Sequence, residues 1–209
     1  MANFLFLSLI ALFFNMLPSS IAFNNSKTFS PTSKTVAMDT IIFTGIKSLW
    51  SGDDAWRSWT ISTEQGDGSL NAAWSSSTSE WNFSLPGING DIRRTWSDDR
   101  EWTLNANGMT VHIKQVWSDD WHEWQISSRN MQLRLKTIWS GDDGWRSWRI
   151  SDSHFGTFEI KTIWSGDDAW KSWNIDDQMP GVPPQLKMAA TFIAVYVAAK
   201  LNNGFPKDD

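Results

Sequence analysis

The chain has no cysteine, three histidines and a single tyrosine among its 209 residues. Without cysteine it has no disulfide, no thiol nucleophile and no thiolate metal site. Three histidines leave little material for a zinc site or a histidine-based proton relay. Basic residues are also few, because 18 lysines and arginines stand against 23 aspartates and glutamates, a net charge of -5. Nucleic-acid binding draws on clustered basic residues, so the composition excludes a nucleic-acid partner.

The first 22 residues are typical of a secretory signal peptide. Residues 5–17 form an almost unbroken apolar run, and small residues follow it up to Ala22. This run is shorter than the roughly 20 residues that a membrane-spanning helix needs, so a membrane anchor is the less favoured interpretation. We therefore expect a secreted, extracellular protein with a flexible leader over residues 23–41 and glycan acceptors at Asn24 and Asn82.

Six tandem repeats occupy residues 42–177. Each has an anchor tryptophan with an apolar residue four positions before it and a serine directly after it. A short polar segment follows, and then a return-strand tryptophan with an apolar residue two positions later. The six anchors are Trp50, Trp74, Trp96, Trp117, Trp139 and Trp164, and the six return-strand tryptophans are Trp59, Trp81, Trp102, Trp124, Trp148 and Trp173. The period of two on each side of a turn-like segment predicts one β-hairpin per repeat.

Six tandem hairpins predict an all-β fold of about 12 antiparallel strands. A meander of that length has to curl, close or split into two packed sheets. A closed or nearly closed barrel of so many strands has a wide bore, and two inward tryptophans per hairpin, twelve of the 16 in the chain, are the large side chains that would fill it. We therefore expect the anchor and the return-strand tryptophans to form a Trp-filled core.

The pattern changes after Asp177. Residues 178–184 are rich in proline and predict a linker, and residues 185–203 are apolar on nearly all sides of a predicted α-helix. A helix of this kind is buried in protein or in lipid. Its apolar part is too short to span a membrane comfortably, so we expect it to dock on the barrel or plug it, with residues 204–209 as a tail.

Four hairpin loops carry an extra tryptophan close to acidic residues, most of them also beside a basic one. The apolar face of a sugar ring stacks on such a ring, while carboxylates and cations bind its hydroxyls. We predict a carbohydrate site at these loops, and the alternative is that the rings fold back onto the hairpins. The residues predicted for the site are Trp56, Trp121, Trp145, Trp170, Asp54, Asp120, Asp143, Asp168, Arg57, Arg146 and Lys171.

Five loops contain a pair of adjacent aspartates. Capping of the turn is the favoured interpretation, because aspartate accepts backbone N–H bonds in such loops. Calcium binding is an alternative, but calcium takes six to eight oxygen ligands and one pair supplies too few. Catalysis needs two carboxyl groups in different environments, whereas these pairs have nearly identical neighbours. No other cofactor is expected.

The favoured function is therefore non-catalytic, lectin-like binding of a glycan or cell-surface polysaccharide through several weak loop sites. A first alternative is a structural or protein-interaction repeat protein in which every tryptophan packs in the core. A second alternative is a glycoside hydrolase, which the repetition of the acidic pairs disfavours.

Overall fold

A computed structural model describes residues 40–205 of the chain. The predicted signal peptide, most of the predicted leader and Asn24 lie outside these residues. The strands are β1 (Phe43–Ser48), β2 (Ser58–Thr63), β3 (Gly68–Trp74), β4 (Ser77–Leu85), β5 (Ile88–Arg94), β6 (Glu101–Ala106), β7 (Met109–Trp117), β8 (Asp120–Ser128), β9 (Met131–Thr137), β10 (Ser147–Asp152), β11 (Gly156–Thr162) and β12 (Ser172–Asp177).

These twelve strands form one closed barrel. Each strand pairs in antiparallel fashion with its neighbours in sequence, and β1 pairs with β12 to close the sheet. The strands form six hairpins, numbered 1 to 6 along the chain, each made of an odd-numbered strand and the even-numbered strand that follows it. The predicted all-β barrel of six tandem hairpins is confirmed.

The two tryptophans of each hairpin differ sharply in burial. The six return-strand tryptophans are at most 2 % exposed, as predicted, and form the wall of the core. The six anchors are 54–66 % exposed, so the prediction that they fill the core is wrong. The exposed rings are Trp50, Trp74, Trp96, Trp117, Trp139 and Trp164.

The strand geometry explains why the anchors leave the core. In four hairpins the odd-numbered strand ends two residues before the anchor, so the alternation of inward and outward side chains stops there. In the other two the register shifts between Ala72 and Trp74 and between Gln115 and Trp117. A shift of this kind re-aims the side chains that follow it. The anchors therefore do not share the inward face of the residues before them.

Each return-strand tryptophan satisfies its polar atom in the same way. Its indole N–H donates a hydrogen bond to the backbone carbonyl three residues earlier, at 2.7–3.0 Å in all six hairpins. That carbonyl lies in the hairpin loop or at the start of the return strand. A buried indole N–H needs such a partner. The repeated tryptophan thus closes its own hairpin loop while its ring fills the core.

The bore of the barrel holds the helix α1 (Pro184–Leu201), in which every residue from Pro184 to Ala199 is buried. The helix packs against β6, β7, β8 and β11. The ring of Phe192 lies 5.7 Å from that of Trp81 and 5.0 Å from that of Trp102, centre to centre. A helix that is enclosed by the barrel has no solvent face, which explains why it is apolar all round. Within residues 40–205, no helix has the length and apolarity that crossing a membrane requires.

A buried ion pair fixes the start of this helix. The side chains of Lys187 and Asp177 are fully buried, and the lysine Nζ lies 2.7 Å from the aspartate Oδ2 and 2.6 Å from the carbonyl oxygen of Ile41. The carboxylate also accepts the backbone N–H groups of Phe43 and Met179 at 3.0 and 3.1 Å. Burial lowers the pKa of Lys187, and the pairing with Asp177 opposes that shift.

Candidate functional site

Six exposed tryptophan rings surround one end of the barrel. Each anchor stands at or just beyond the last residue of an odd-numbered strand. Because odd-numbered strands all run in the same direction, these six positions meet at the same end. We call this set the tryptophan rim: Trp50, Trp74, Trp96, Trp117, Trp139 and Trp164. Concentrated exposure of large apolar side chains marks binding surfaces rather than packing.

The rim has two halves, because the hairpin loops are of two kinds. In hairpins 1, 5 and 6 the loop is long and contains a short 3-10 helix: Gly52–Asp54, Gly144–Arg146 and Ala169–Lys171. In hairpins 2, 3 and 4 the loops are shorter and lack this helix. Hairpins 6 and 1 are neighbours through the β1–β12 pairing. The three long loops therefore form one continuous half of the rim, and the three short loops form the other.

In the short-loop half a glutamate holds each exposed indole. The indole N–H donates to the glutamate that precedes the return-strand tryptophan of the same hairpin. The three bonds are Trp74 to Glu80 at 3.4 Å, Trp96 to Glu101 at 3.0 Å and Trp117 to Glu123 at 3.4 Å. In the long-loop half a serine stands in place of this glutamate: Ser58, Ser147 and Ser172.

Each of these glutamates also binds a cation from the next hairpin. The contacts are Arg93 to Glu80 at 3.0 Å, Lys114 to Glu101 at 2.6 Å and Lys136 to Glu123 at 3.2 Å. Three neighbouring hairpins thus carry the same Trp–Glu–cation group on the outer surface. Hydrogen bonds from Lys114 and Trp96 hold the pKa of Glu101 below its ordinary value. This glutamate is therefore ionised at neutral pH.

A cavity of about 250 Å³ lies beside the middle group. It is lined by Trp96, Glu101 and Lys114 together with Asp98 and Arg100. Asp98 and Arg100 form an ion pair at 2.5 Å, and the hydrogen bond from Arg100 lowers the pKa of Asp98. An exposed flat ring, two carboxylates and two cations therefore surround one small space. The arrangement offers both hydrogen-bond acceptors and donors to a ligand that lies against the ring.

The loop tryptophans predicted as open stacking surfaces are in the core instead. Trp56, Trp145 and Trp170 are 1 %, 6 % and 4 % exposed, so the expectation that they present free rings is wrong. The 3-10 turn of each long loop folds the ring back over the end of the barrel, the alternative stated above. There it packs edge-on or tilted against other tryptophans, at centre distances of 5.8–6.2 Å. The fourth, Trp121, lies at the start of β8, directly after the short loop, and is partly buried.

The charged residues predicted for the site mostly pair within their own loops. Asp54 with Arg57, Asp143 with Arg146 and Asp168 with Lys171 form ion pairs at 3.2, 2.6 and 2.5 Å. Arg146 and Lys171 also lie over the rings of Trp145 and Trp170, at 4.5 and 5.4 Å from the ring centres. These two cations cover Trp145 and Trp170, and all three ion pairs connect residues of the same loop.

Turn capping by aspartate occurs in short loops. The carboxylate of Asp120 accepts the backbone N–H of His122 at 2.8 Å and also contacts its ring, and Asp98 accepts the N–H of Arg100 at 3.3 Å. In the long loops no side chain caps the 3-10 helix. There a glycine with positive φ makes the turn: Gly52 at 76°, Gly141 at 83° and Gly166 at 118°.

A second cavity, of about 390 Å³, opens between hairpins 4 and 5. We call it the mouth cavity. It brings together two residues predicted for the carbohydrate site, Trp121 and Trp145, with His122, Thr137 and Asp142. Its inner wall is formed by Val197 and Leu201 near the end of α1.

The remaining site predictions are tested only in part. Within residues 40–205, no three side chains that could ligate a metal ion come together, so the calcium alternative has no candidate centre there. Asn82 is exposed on β4, where a glycan could be attached.

The glutamates of the rim were missed at the sequence level, although the Glu-Trp and Ser-Trp dipeptides that distinguish the two halves of the rim are visible there. Comparison with protein-family models, curated proteins and solved structures finds no match to this chain.

Proposed function

We propose that the protein is a secreted, non-catalytic, lectin-like carbohydrate-binding protein whose main sites lie on the tryptophan rim. One observation carries the proposal: six indole rings are held 54–66 % exposed at the same end of the barrel. The core is filled by other tryptophans, so these six are not needed for packing. A flat exposed indole offers its face to the apolar side of a pyranose ring.

The short-loop half provides the best-prepared sites. A hydrogen bond from Trp96 to Glu101 fixes the ring, and Lys114 fixes the glutamate in turn. Less conformational freedom is then lost when a ligand binds. Each carboxylate oxygen of Glu101 has a further lone pair, and the ammonium group of Lys114 has further N–H groups. Both can form hydrogen bonds with sugar hydroxyls. The same argument applies to the groups built on Trp74 and Trp117.

The closed barrel also determines what kind of ligand fits. Six hairpins share one full turn, so neighbouring rim tryptophans stand on average about one sixth of the circumference apart. A stiff, straight polysaccharide chain cannot lie flat on three such rings at once. Clustered glycan chains, such as those of a cell-surface polysaccharide, can occupy several rings together. Weak single sites then add up to strong binding through multivalency.

The test compares two matched triple variants. Trp74→Ala/Trp96→Ala/Trp117→Ala removes the rings held by glutamate, and Trp50→Ala/Trp139→Ala/Trp164→Ala removes those of the long loops. On a glycan array, we expect the first variant to lose binding and the second to lose less of it. Both should melt within a few degrees of the parent, because exposed side chains contribute little to stability. Unchanged glycan binding by the first variant would refute the proposal.

A protein partner is the second candidate function, and the long-loop half favours it. Leu49 and Ile163 are 59 % and 52 % exposed, and each directly precedes a rim tryptophan in neighbouring hairpins. Exposed aliphatic and tryptophan side chains side by side are typical of protein interfaces. Leu49→Ser/Ile163→Ser should abolish co-purification of such a partner and leave glycan binding intact. Loss of glycan binding in that variant would count against this candidate.

A further inference from the structure

Hairpins 4 and 5 depart from the repeat at two residues that meet each other. His122 follows Trp121 at the start of β8, and no other histidine of the chain stands next to a tryptophan. Gly144 precedes Trp145, at the position where hairpins 1 and 6 have alanine. In the folded chain both lie beside the mouth cavity. The six-fold pattern is thus broken at one boundary between hairpins, on both of its sides.

The glycine makes room for the histidine. A Cβ atom at position 144 would lie 2.8 Å from Cδ2 of His122 and 2.9 Å from the carbonyl oxygen of Trp139. Alanine at this position would therefore push the imidazole or the loop away. The imidazole is held from its other side by the carboxylate of Asp120, which contacts Nδ1 and accepts the backbone N–H of His122. The ring has a fixed place at the cavity edge.

The cavity wall combines flat rings with a few polar groups. The ring of Trp121 is held by Lys200, whose Nζ lies 4.5 Å from the ring centre and is bound to Asp99. Thr137 supplies a hydroxyl and Asp142 a carboxylate, and the latter forms no ion pair within residues 40–205. A volume of about 390 Å³ lies within the usual range of small-molecule pockets.

We propose that the mouth cavity binds a single pyranose residue, at a site separate from the rim. The sugar packs against the partly buried indole ring of Trp121, and its hydroxyls bond to Asp142, Thr137 and the imidazole. This inference rests on the proposed function as a carbohydrate-binding protein and adds a site that takes one sugar residue, such as the end of a glycan chain.

The test measures binding of free sugars to the purified protein. Glucose, galactose, mannose and N-acetylglucosamine are titrated while the indole N–H resonance of Trp121, assigned with Trp121→Phe, is followed by NMR. We expect a saturable shift with at least one of them. Asp142→Asn should weaken the binding of that sugar by about tenfold or more, which is the size expected for a lost hydrogen bond to a charged group.

Hairpin 6 provides the matched control. Asp167→Asn changes the same position of the same loop sequence away from the cavity and should alter the affinity by about twofold at most. Gly144→Ala, which introduces the alanine of hairpins 1 and 6, should weaken sugar binding as much as Asp142→Asn does. Absence of any titration, or equal effects of Asp142→Asn and Asp167→Asn, would overturn the proposal.

The two proposals fail in distinguishable ways. If no sugar shifts the Trp121 resonance while the triple variant of the short-loop half no longer binds glycans on the array, the cavity site is refuted and the rim sites stand. If that triple variant still binds glycans on the array while Asp142→Asn abolishes the sugar-induced shift of the Trp121 resonance, the rim sites are refuted and the cavity site stands.

Discussion

Hairpin 6 allows the two tryptophan environments to be compared within one loop. Trp164 belongs to the rim and is 66 % exposed, whereas Trp170, six residues later, is 4 % exposed. The ring of Trp170 lies 5.9 Å from that of Trp59, centre to centre, and a Cβ added at Gly204 would be only 3.0 Å from it. The ring thus joins a return-strand tryptophan to the chain that follows α1. We predict that Trp170→Ala destabilises the protein strongly and Trp164→Ala hardly at all.

The burial of the ring sets the size of the effect. A tryptophan side chain buries about 150–250 Å², and truncation of a buried one to alanine costs about 3–5 kcal/mol once the cavity is included. For a chain of this size, each kcal/mol lowers the melting temperature by about 2–4 °C, so Trp170→Ala should melt roughly 10 °C lower. Trp164→Ala should stay within about 0.5 kcal/mol of the parent.

Urea unfolding followed by circular dichroism measures both free energies, and thermal melts provide an independent check. Quenching by acrylamide adds a readout of exposure, since loss of Trp164 should remove quenchable fluorescence and loss of Trp170 should not. A Trp164→Ala variant that loses several kcal/mol, or a Trp170→Ala variant that loses none, would refute the assignment of the two environments.

Two further predictions concern charged groups around the helix. Lys187→Met should destabilise the fold by about 3–5 kcal/mol in urea unfolding, because it leaves the buried carboxylate of Asp177 without its cation; an effect below about 1 kcal/mol would contradict this. Burial raises the pKa of Asp99, but bonds from Lys200 and Arg94 outweigh burial and the net pKa is lowered. The unfolded chain therefore binds more protons, and this contribution to stability is complete above about pH 4 and is lost as the pH falls through the lowered pKa. The difference in unfolding free energy between the parent and Asp99→Asn should shrink between pH 7 and pH 3, and a constant difference would be inconsistent with this role.

The barrel could be predicted because its determinants repeat. Apolar cross-strand pairs such as Ile160 with Ile175 recur in all six hairpins, and inward residues recur every second position within each strand. A strand that is ambiguous in one repeat can be assigned from the same pattern in the other five. The position of the helix could be predicted for a related reason. A helix that is apolar on all sides must be surrounded by protein, and a wide barrel has an interior that side chains have to fill.

The assignment of tryptophans failed where the period of two ends. Trp164 and Ile160 share a strand face only if the strand continues between them, but β11 ends at Thr162. Trp170 lies in a polar loop sequence, which suggested exposure. A 3-10 turn and the pairing of Asp168 with Lys171 fold the ring inward. Neither the end of a strand nor the path of a loop is fixed by local periodicity, because both depend on contacts with neighbouring hairpins.

The candidate sites lie where the repeat varies, and this follows from what the repeat has to do. Every hairpin must supply a return-strand tryptophan and the carbonyl that accepts its indole N–H, or the closed sheet loses part of its core. These positions are therefore the same six times. The rim faces solvent and has no such constraint, so glutamate can replace serine in three consecutive hairpins, and His122 can face Gly144 at one boundary. Changes at the rim therefore leave the core packing intact, and these positions are free to vary from hairpin to hairpin.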